Sequence, residues 1–282
     1  MKPPPELVEH LMVDGKIMPA ATPALKADLP GILRGEGIFE TFLVVDGSPT
    51  PFLHFHQDRL VESASIMDMD LKSWTLQNQW EEYKVHVPSG RQRVRFTLLR
   101  SSGDALVRIW TSSCAVFPPA EVVLSLSRFL RYPDDPLARA KTTSRALFQL
   151  ARREASKVGA YEALLSTPEG DWTEGTVSNL LLLQDGVVQT PPLHRGVLAG
   201  VTRHILLAKL RESGILVQEE PVMTVDLEKA DEVYVTSALL GVTPVSRIVD
   251  VRDDLPGASG PMLPRFLKLF QGATQNPTIL RS

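Results

Sequence analysis

Two kinds of apolar spacing alternate along the first part of the chain. The segment FETFLVVDGSPTPFLHF places apolar runs on both sides of Asp46 and Gly47, which predicts a β-hairpin because Asp-Gly suits a two-residue turn. The spacing of Leu60, Ala64 and Met67 then predicts a helix. The segment RQRVRFTLLR alternates again, so we expect a strand with apolar residues on one face and its first three arginines on the other.

The pattern is interrupted at the segment AVFPPAE. Pro118 and Pro119 lack the backbone N–H that a sheet requires, so we place a domain boundary there. We expect a first domain in residues 1–117 and a second in residues 121–282.

The second half repeats strand and helix signals. Ala146, Leu147, Leu150 and Ala151 form an apolar stripe at helical spacing. Turn residues predict hairpins at PEGD and at the dipeptide DG that follows LLLLQ. A last helix is predicted over residues 264–270.

Composition narrows the possible classes of protein. The chain has 282 residues, 43% of them hydrophobic, which suffices for one large or two moderate domains. A net charge of -3 argues against a nucleic-acid partner, and Cys114, the single cysteine, cannot form an internal disulfide. The segment MKPPPELVEH has no apolar signal core, and no apolar run approaches the roughly 18 residues of a membrane span. We therefore expect a cytoplasmic protein with neither a membrane partner nor a metal ion.

Residues 140–203 contain groups that together suit pyridoxal 5'-phosphate (PLP). PLP requires an amine that holds its aldehyde as a Schiff base, a charge partner for its pyridine nitrogen and a cradle for its phosphate. Lys141, Glu174 and the helix start at Thr202 provide these in order. Each also has an ordinary interpretation, as a surface lysine, a turn residue and a helix cap. Only the combination indicates a cofactor site.

The order of the motifs resembles the class IV PLP-dependent enzymes, which include branched-chain and D-amino-acid aminotransferases and 4-amino-4-deoxychorismate lyases. The matching blocks are RGEGIFET, HFHQDRL, the Lys141 segment ARAKTTSR, EALLSTPEGDWTEGTVSNLLL, TPPLHRGVLAGVTR and ADEVYVTSALLGVTPV. The resemblance implies an α+β fold with a small N-terminal α/β domain and a larger C-terminal domain built around a β-barrel-like sheet. It also implies PLP in the cleft between the domains, and a homodimer.

The resemblance assigns roles to individual residues. Lys141 would form the Schiff base, Glu174 would face the pyridine nitrogen and Arg59 would bind the phosphate. The start of a helix at Val201 and Thr202 would also favour the phosphate, because its free N–H groups and its dipole attract anions. The further cofactor-binding candidates are Asn179, Leu198, Thr236 and Ser237.

One departure affects the phosphate site. Related aminotransferases usually carry a hydroxyl at the position of Ala238. Thr236 or Ser237 is expected to supply that contact instead.

The substrate-binding candidates are Arg34, Phe39 and Arg100. Arg34 stands where branched-chain aminotransferases have a tyrosine, and the KTTSR and TSALLGVTPV segments are similar to those of the lyases. These features favour 4-amino-4-deoxychorismate lyase, which releases pyruvate and forms 4-aminobenzoate for folate synthesis. An aminotransferase acting on branched-chain or D-amino acids stays open as the alternative, and so does a PLP-binding protein with weak activity.

Overall fold

The computed structural model describes residues 10–50, 52–72 and 75–275. Residues 1–9, on which the expectation about a signal segment depends, lie outside this part of the chain. Two compact units are present. The first comprises the described residues as far as Phe117 together with Ala140–Ser144, and the second comprises Pro118–Arg139 and the described residues from Arg145 onward. The short segment that carries Lys141 thus groups with the first unit, although the sequence prediction placed it within residues 121–282.

The first unit is built on a six-stranded antiparallel sheet in the order β2-β1-β6-β5-β3-β4. Its strands are β1 His10–Val13, β2 Lys16–Pro19, β3 Gly37–Val45, β4 Ser48–Pro49, β5 Arg91–Arg100 and β6 Leu106–Cys114. Its helices are α1 Pro30–Leu33, α2 Leu53–Ile66 and α3 Leu76–Tyr83. Asp46 and Gly47 form the β3–β4 turn, both with positive φ, as the Asp-Gly signal predicted.

One face of this sheet forms the core of the first unit. Phe42, Phe96 and Trp110 pack there against Leu60 of α2 and Trp80 of α3. Alternation along β5 places its first three arginines on the opposite face. The two faces therefore separate a packed core from a charged surface.

The second unit contains a sheet that closes on itself. Its strands are β7 Val122–Leu130, β8 Glu162–Ser166, β9 Trp172–Gly175, β10 Asn179–Gln184, β11 Val187–Thr190, β12 Val217–Glu219, β13 Glu232–Ser237 and β14 Gly241–Ile248. The pairings run β10-β13-β14-β7-β8-β9, and β9 pairs with β10 again. Six strands thus form a closed ring, with β11 and β12 extending it at β10. The predicted α+β class with a barrel-like sheet is confirmed.

Four helices surround this ring: α4 Ala146–Lys157, α5 Val201–Glu212, α6 Thr224–Lys229 and α7 Leu263–Gln275. In α4 the residues that pack inward are Phe148, Ala151 and Ala155, whereas Leu150 is exposed. The predicted stripe was therefore wrong at Ala146 and Leu150, which are both exposed, because the buried face of the helix is centred on Phe148, Ala151 and Ala155. The final helix is longer than predicted and continues to Gln275.

Candidate active site

Lys141 is held by its backbone against β3 and α2. Its N–H donates to Ser63 Oγ at 3.0 Å, and its carbonyl accepts from the N–H of Phe39 at 2.9 Å. The next residue, Thr142, forms a β-bridge with Ile38. The side chain is half-buried, and Nζ lies 4.8 Å from the centre of the Phe39 ring. The amine therefore has a defined position next to a predicted substrate residue.

The Phe39 ring contacts the guanidinium of Arg95 as well as Lys141. The guanidinium carbon lies 3.7 Å from the ring centre, and Arg95 Nε donates to Thr97 Oγ1 at 3.0 Å. Thr41 stands opposite Arg95 in the β3–β5 ladder, and its buried hydroxyl has no hydrogen-bond partner among the described residues. The sequence pattern placed Arg95 only on a strand face, because its position beside Phe39 depends on the pairing of β3 with β5.

The predicted phosphate residue Arg59 is part of a buried ion pair. Its Nε and Nη2 donate to the two carboxylate oxygens of Glu40 at 2.8 and 2.6 Å. His56 Nδ1 lies 2.7 Å from Glu40 Oε2. Burial alone would raise the pKa of Glu40, but the charge and hydrogen bonds of Arg59 and His56 outweigh it and hold that pKa well below its usual range. A carboxylate that is ionised at neutral pH thus fixes the direction of the guanidinium.

The two substrate arginines predicted from the sequence both contact Glu36. Arg34 Nη1 lies 3.5 Å from this carboxylate, and its side chain is 74% exposed. Arg100 Nε lies 2.9 Å from it, and Arg100 Nη2 also donates to the carbonyls of Met67 and Asp68. A substrate carboxylate would have to compete with these partners for Arg100.

In the second unit, Glu174 and Asn179 hold the residue Leu198 from both sides. The N–H of Leu198 donates to Glu174 Oε2 at 3.1 Å, and its carbonyl accepts from Asn179 Nδ2 at 2.9 Å. A Cβ at Gly200 would collide with Asn179 Oδ1, so only glycine permits this close approach. These contacts bring together three of the predicted cofactor-binding residues.

Two arginines near Glu174 were not predicted. Arg131 Nη2 lies 3.3 Å from Glu174 Oε1 and also donates to the carbonyl of Gly196. Arg145 donates to the carbonyl of Thr176 at 2.5 Å. Burial lowers the pKa of Arg145, while the nearby charge of Glu174 opposes this effect. Glu174 therefore lies close to two arginine side chains.

The start of α5 lies close to Asn179. Gly200 is the N-cap residue of α5, and no described side chain caps its first N–H groups, which include those of Val201 and Thr202. Thr236 is the ladder partner of Asn179, so the two side chains share a face of the sheet. The Thr236 hydroxyl is buried and has no hydrogen-bond partner in the described part of the chain. In contrast, Ser237 Oγ accepts from the N–H of Leu240 at 3.2 Å.

These features fit the phosphate of PLP. A helix N-terminus attracts an anion, and a buried hydroxyl without a partner among the described residues can donate to it. Thr236 is therefore a better candidate than Ser237 for the hydroxyl contact to the phosphate that Ala238 cannot make.

Comparison with known proteins identifies the family. The family described as amino-transferase class IV matches residues 37–248. The chain belongs to the class IV aminotransferases. A branched-chain-amino-acid aminotransferase of Pseudomonas aeruginosa is 28% identical over 84% of this chain and 83% of its own length.

Two further class IV proteins are informative. A bifunctional aminodeoxychorismate lyase / D-amino acid transaminase of Mycobacterium tuberculosis is 28% identical over 80% of this chain and 86% of its own. The crystal structure of a branched-chain aminotransferase from Thermoproteus uzoniensis with norvaline has a TM-score of 0.85 and 22% identity, and it covers 96% of both chains. This last likeness shows the fold. No helix in the described part of the chain is long and apolar enough to cross a membrane.

Proposed function

We propose that the protein is a PLP-dependent enzyme that transfers amino groups between amino acids and 2-oxo acids. The observation that carries the cofactor assignment is the anion cradle of the second unit. There Asn179 lies against Gly200 at the start of α5 and pairs in the ladder with Thr236, whose buried hydroxyl has no hydrogen-bond partner among the described residues. Membership of the class IV family supports it. Bound PLP would supply a ring that accepts the electron pair left on carbon when a proton departs.

The residues of the chain have separate roles in this proposal. Lys141 would hold the cofactor through its ε-amine and, once a substrate amine has taken its place, would accept the proton of the adjacent carbon at Nζ. Glu174 would keep the pyridine nitrogen protonated. Thr236 and the first N–H groups of α5 would bind the phosphate, with Arg59 as a further cation and Asn179 and Leu198 supporting the site.

Substrate recognition is assigned to the surroundings of Lys141. Phe39 contacts both Nζ of Lys141 and the guanidinium of Arg95, so an anion bound by Arg95 lies near the reacting amine. Arg95 is therefore a candidate for the substrate carboxylate beside Arg100.

Aminodeoxychorismate lyase is the second candidate function. The Mycobacterium tuberculosis relative, whose name combines lyase and transaminase, supports it. Arg145 of the KTTSR segment also supports it, since it adds a cation near Glu174. The expected homodimer stays a prediction.

Borohydride trapping tests the cofactor assignment. Reduction of the protein after incubation with PLP should attach the cofactor covalently to the peptide that contains Lys141. Lys141→Ala should abolish this label but still bind PLP, because the phosphate cradle is intact. Recovery of the label at Lys157 or Lys209 would overturn the role of Lys141, and absence of PLP binding would overturn the proposed function.

A further inference from the structure

We propose that Glu162 is a positioning residue that holds the connection between β9 and β10 and thereby sets the placement of Glu174 and Asn179. The inference deepens the proposed function and rests on it for the roles of those two residues. Glu162 lies on β8 and is fully buried.

Residues 176–178 connect β9 to β10, and their hydrogen bonds converge on Glu162. Oε2 accepts from the N–H of Val177 at 2.9 Å and from the hydroxyl of Thr176 at 3.2 Å. Oε1 accepts from the hydroxyl of Ser178 at 2.6 Å. One carboxylate thus binds every residue of the connection.

The strand pairing alone does not fix this connection. Among the described residues, β9 and β10 pair only through Glu174 and Asn179. The connection also lacks the Asp-Gly turn that closes other hairpins of this chain. A ladder of one pair is short, so an additional anchor is needed to hold both ends in place.

Gly175 shows how closely the carboxylate packs on the backbone. A Cβ at this position would collide with Glu162 Oε2 and with Ser178 Oγ. The carboxylate therefore lies directly against the residue that follows Glu174. On the same connection, the carbonyl of Thr176 accepts from Arg145.

The burial of Glu162 guides the choice of variants. Burial raises the pKa of Glu162, although Ser178 and Val177 oppose the shift. An amide can accept from the N–H of Val177 and donate to the hydroxyl of Ser178, so Glu162→Gln should preserve the connection. Glu162→Met has a similar volume but offers no acceptors, so it should release it.

Glu232 provides a matched control. It is a buried glutamate of the same unit that accepts from the N–H of Met262 at 3.0 Å and from the hydroxyl of Tyr234. Glu232→Met should lower the unfolding temperature without affecting the connection between β9 and β10.

The experiment measures two quantities in the three variants and the wild type: hydrogen exchange of the Leu198 N–H without cofactor, and the Kd for PLP. Since this N–H donates to Glu174, its protection reports the placement of that carboxylate. Glu162→Met should lose this protection and bind PLP roughly 10- to 100-fold more weakly. Glu162→Gln should behave as wild type, and Glu232→Met should retain protection and affinity.

The possible results separate this inference from the proposed function. Unchanged protection of Leu198 in Glu162→Met would overturn the positioning role. A wild type that fails to bind PLP would overturn the proposed function, while the exchange data would still decide the role of Glu162. If Glu162→Met does not fold, Ser178→Ala removes one of the three bonds and should reduce the protection in the same direction.

Discussion

Glu174 and Asn179 form the residue pair through which β9 and β10 complete the six-stranded ring of the second unit. The same two side chains hold the backbone of Leu198, which leads into α5. Closure of the sheet and placement of the proposed phosphate cradle therefore depend on the same pair. A test of the chemistry therefore needs a substitution at this pair that leaves folding intact.

Glu174→Gln is the informative substitution at this pair. The amide oxygen can still accept from the N–H of Leu198, so we expect a folded protein that binds PLP. A neutral amide does not keep a pyridine nitrogen protonated, so kcat should fall by roughly 100-fold. Glu169→Gln is the control, because Glu169 is exposed and its carboxylate pairs with Arg195 away from Glu174. Wild-type kcat in Glu174→Gln would exclude the assigned role.

Glu40 is expected to stabilise the first unit through Arg59. Glu40→Ala leaves a buried guanidinium without its carboxylate partner, which should reduce the free energy of unfolding by roughly 3–5 kcal/mol. Urea denaturation followed by tryptophan fluorescence measures this loss. Glu154→Gln removes the exposed partner of Arg128 and should change stability little. Equal effects of the two substitutions would show that the buried pair contributes no special stability.

His56 should make stability depend on pH near neutrality. Burial lowers the pKa of His56, although Glu40 opposes this shift. The unfolded imidazole therefore binds a proton more readily than the folded one, so its contribution is present above a pH of about 6.5 and is lost as the pH falls below it. The lowered pKa of Glu40 acts in a separate, more acidic window, below a pH of about 4.5.

His56→Asn tests this dependence, because an amide near the position of Nδ1 can still donate to Glu40. We expect the unfolding midpoint of the wild type to fall more steeply than that of the variant between pH values of about 7.5 and 5.5. Other titrating groups are common to both proteins and cancel in the difference. Parallel curves would show that His56 has no such effect.

The sequence predicted correctly those elements that depend on neighbouring residues alone. The Asp46-Gly47 hairpin is confirmed because both residues adopt the positive φ that this dipeptide favours. The placement of Lys141 could not be read in this way. Its segment joins the first unit through the bridge between Ile38 and Thr142, which links residues more than a hundred positions apart.

The sequence patterns also did not predict the partners of the arginine side chains. Arg100 was predicted to bind a substrate, yet its partners include Glu36 and the carbonyl of Met67. Glu36 lies just before β3, and Met67 lies just after α2. Arg95 was assigned to a strand face, and only the register of β3 against β5 places it on the ring of Phe39. Such contacts join residues that are far apart in the sequence, so a short sequence segment does not reveal them.

Thr236 should contribute to cofactor binding and not to folding. Thr236→Val keeps the shape of the side chain and removes a buried hydroxyl for which the described residues offer no partner, so stability without PLP should be equal or higher. The Kd for PLP should rise about 10-fold, because a hydrogen bond to a charged phosphate is lost.

Ser237→Ala is the companion variant for Thr236. It removes the acceptor of the Leu240 N–H, so it should lower stability while the Kd for PLP stays close to that of the wild type. Unchanged PLP affinity in Thr236→Val would contradict the assignment of its hydroxyl to the phosphate.

Arg34 distinguishes the two candidate reactions. It is largely exposed and its ion pair with Glu36 is long, so Arg34→Ala should leave folding and amino transfer nearly unchanged. A lyase substrate carries two carboxylates and needs more than one cationic donor, so the lyase reaction should be sensitive to Arg34.

If the protein is also a lyase, it should release pyruvate from aminodeoxychorismate without an added 2-oxo acid. Arg34→Ala should then lower kcat/KM for that substrate by roughly 10- to 1000-fold, as the loss of a charged hydrogen bond implies. A protein that transfers amino groups but yields no pyruvate in this assay is an aminotransferase alone.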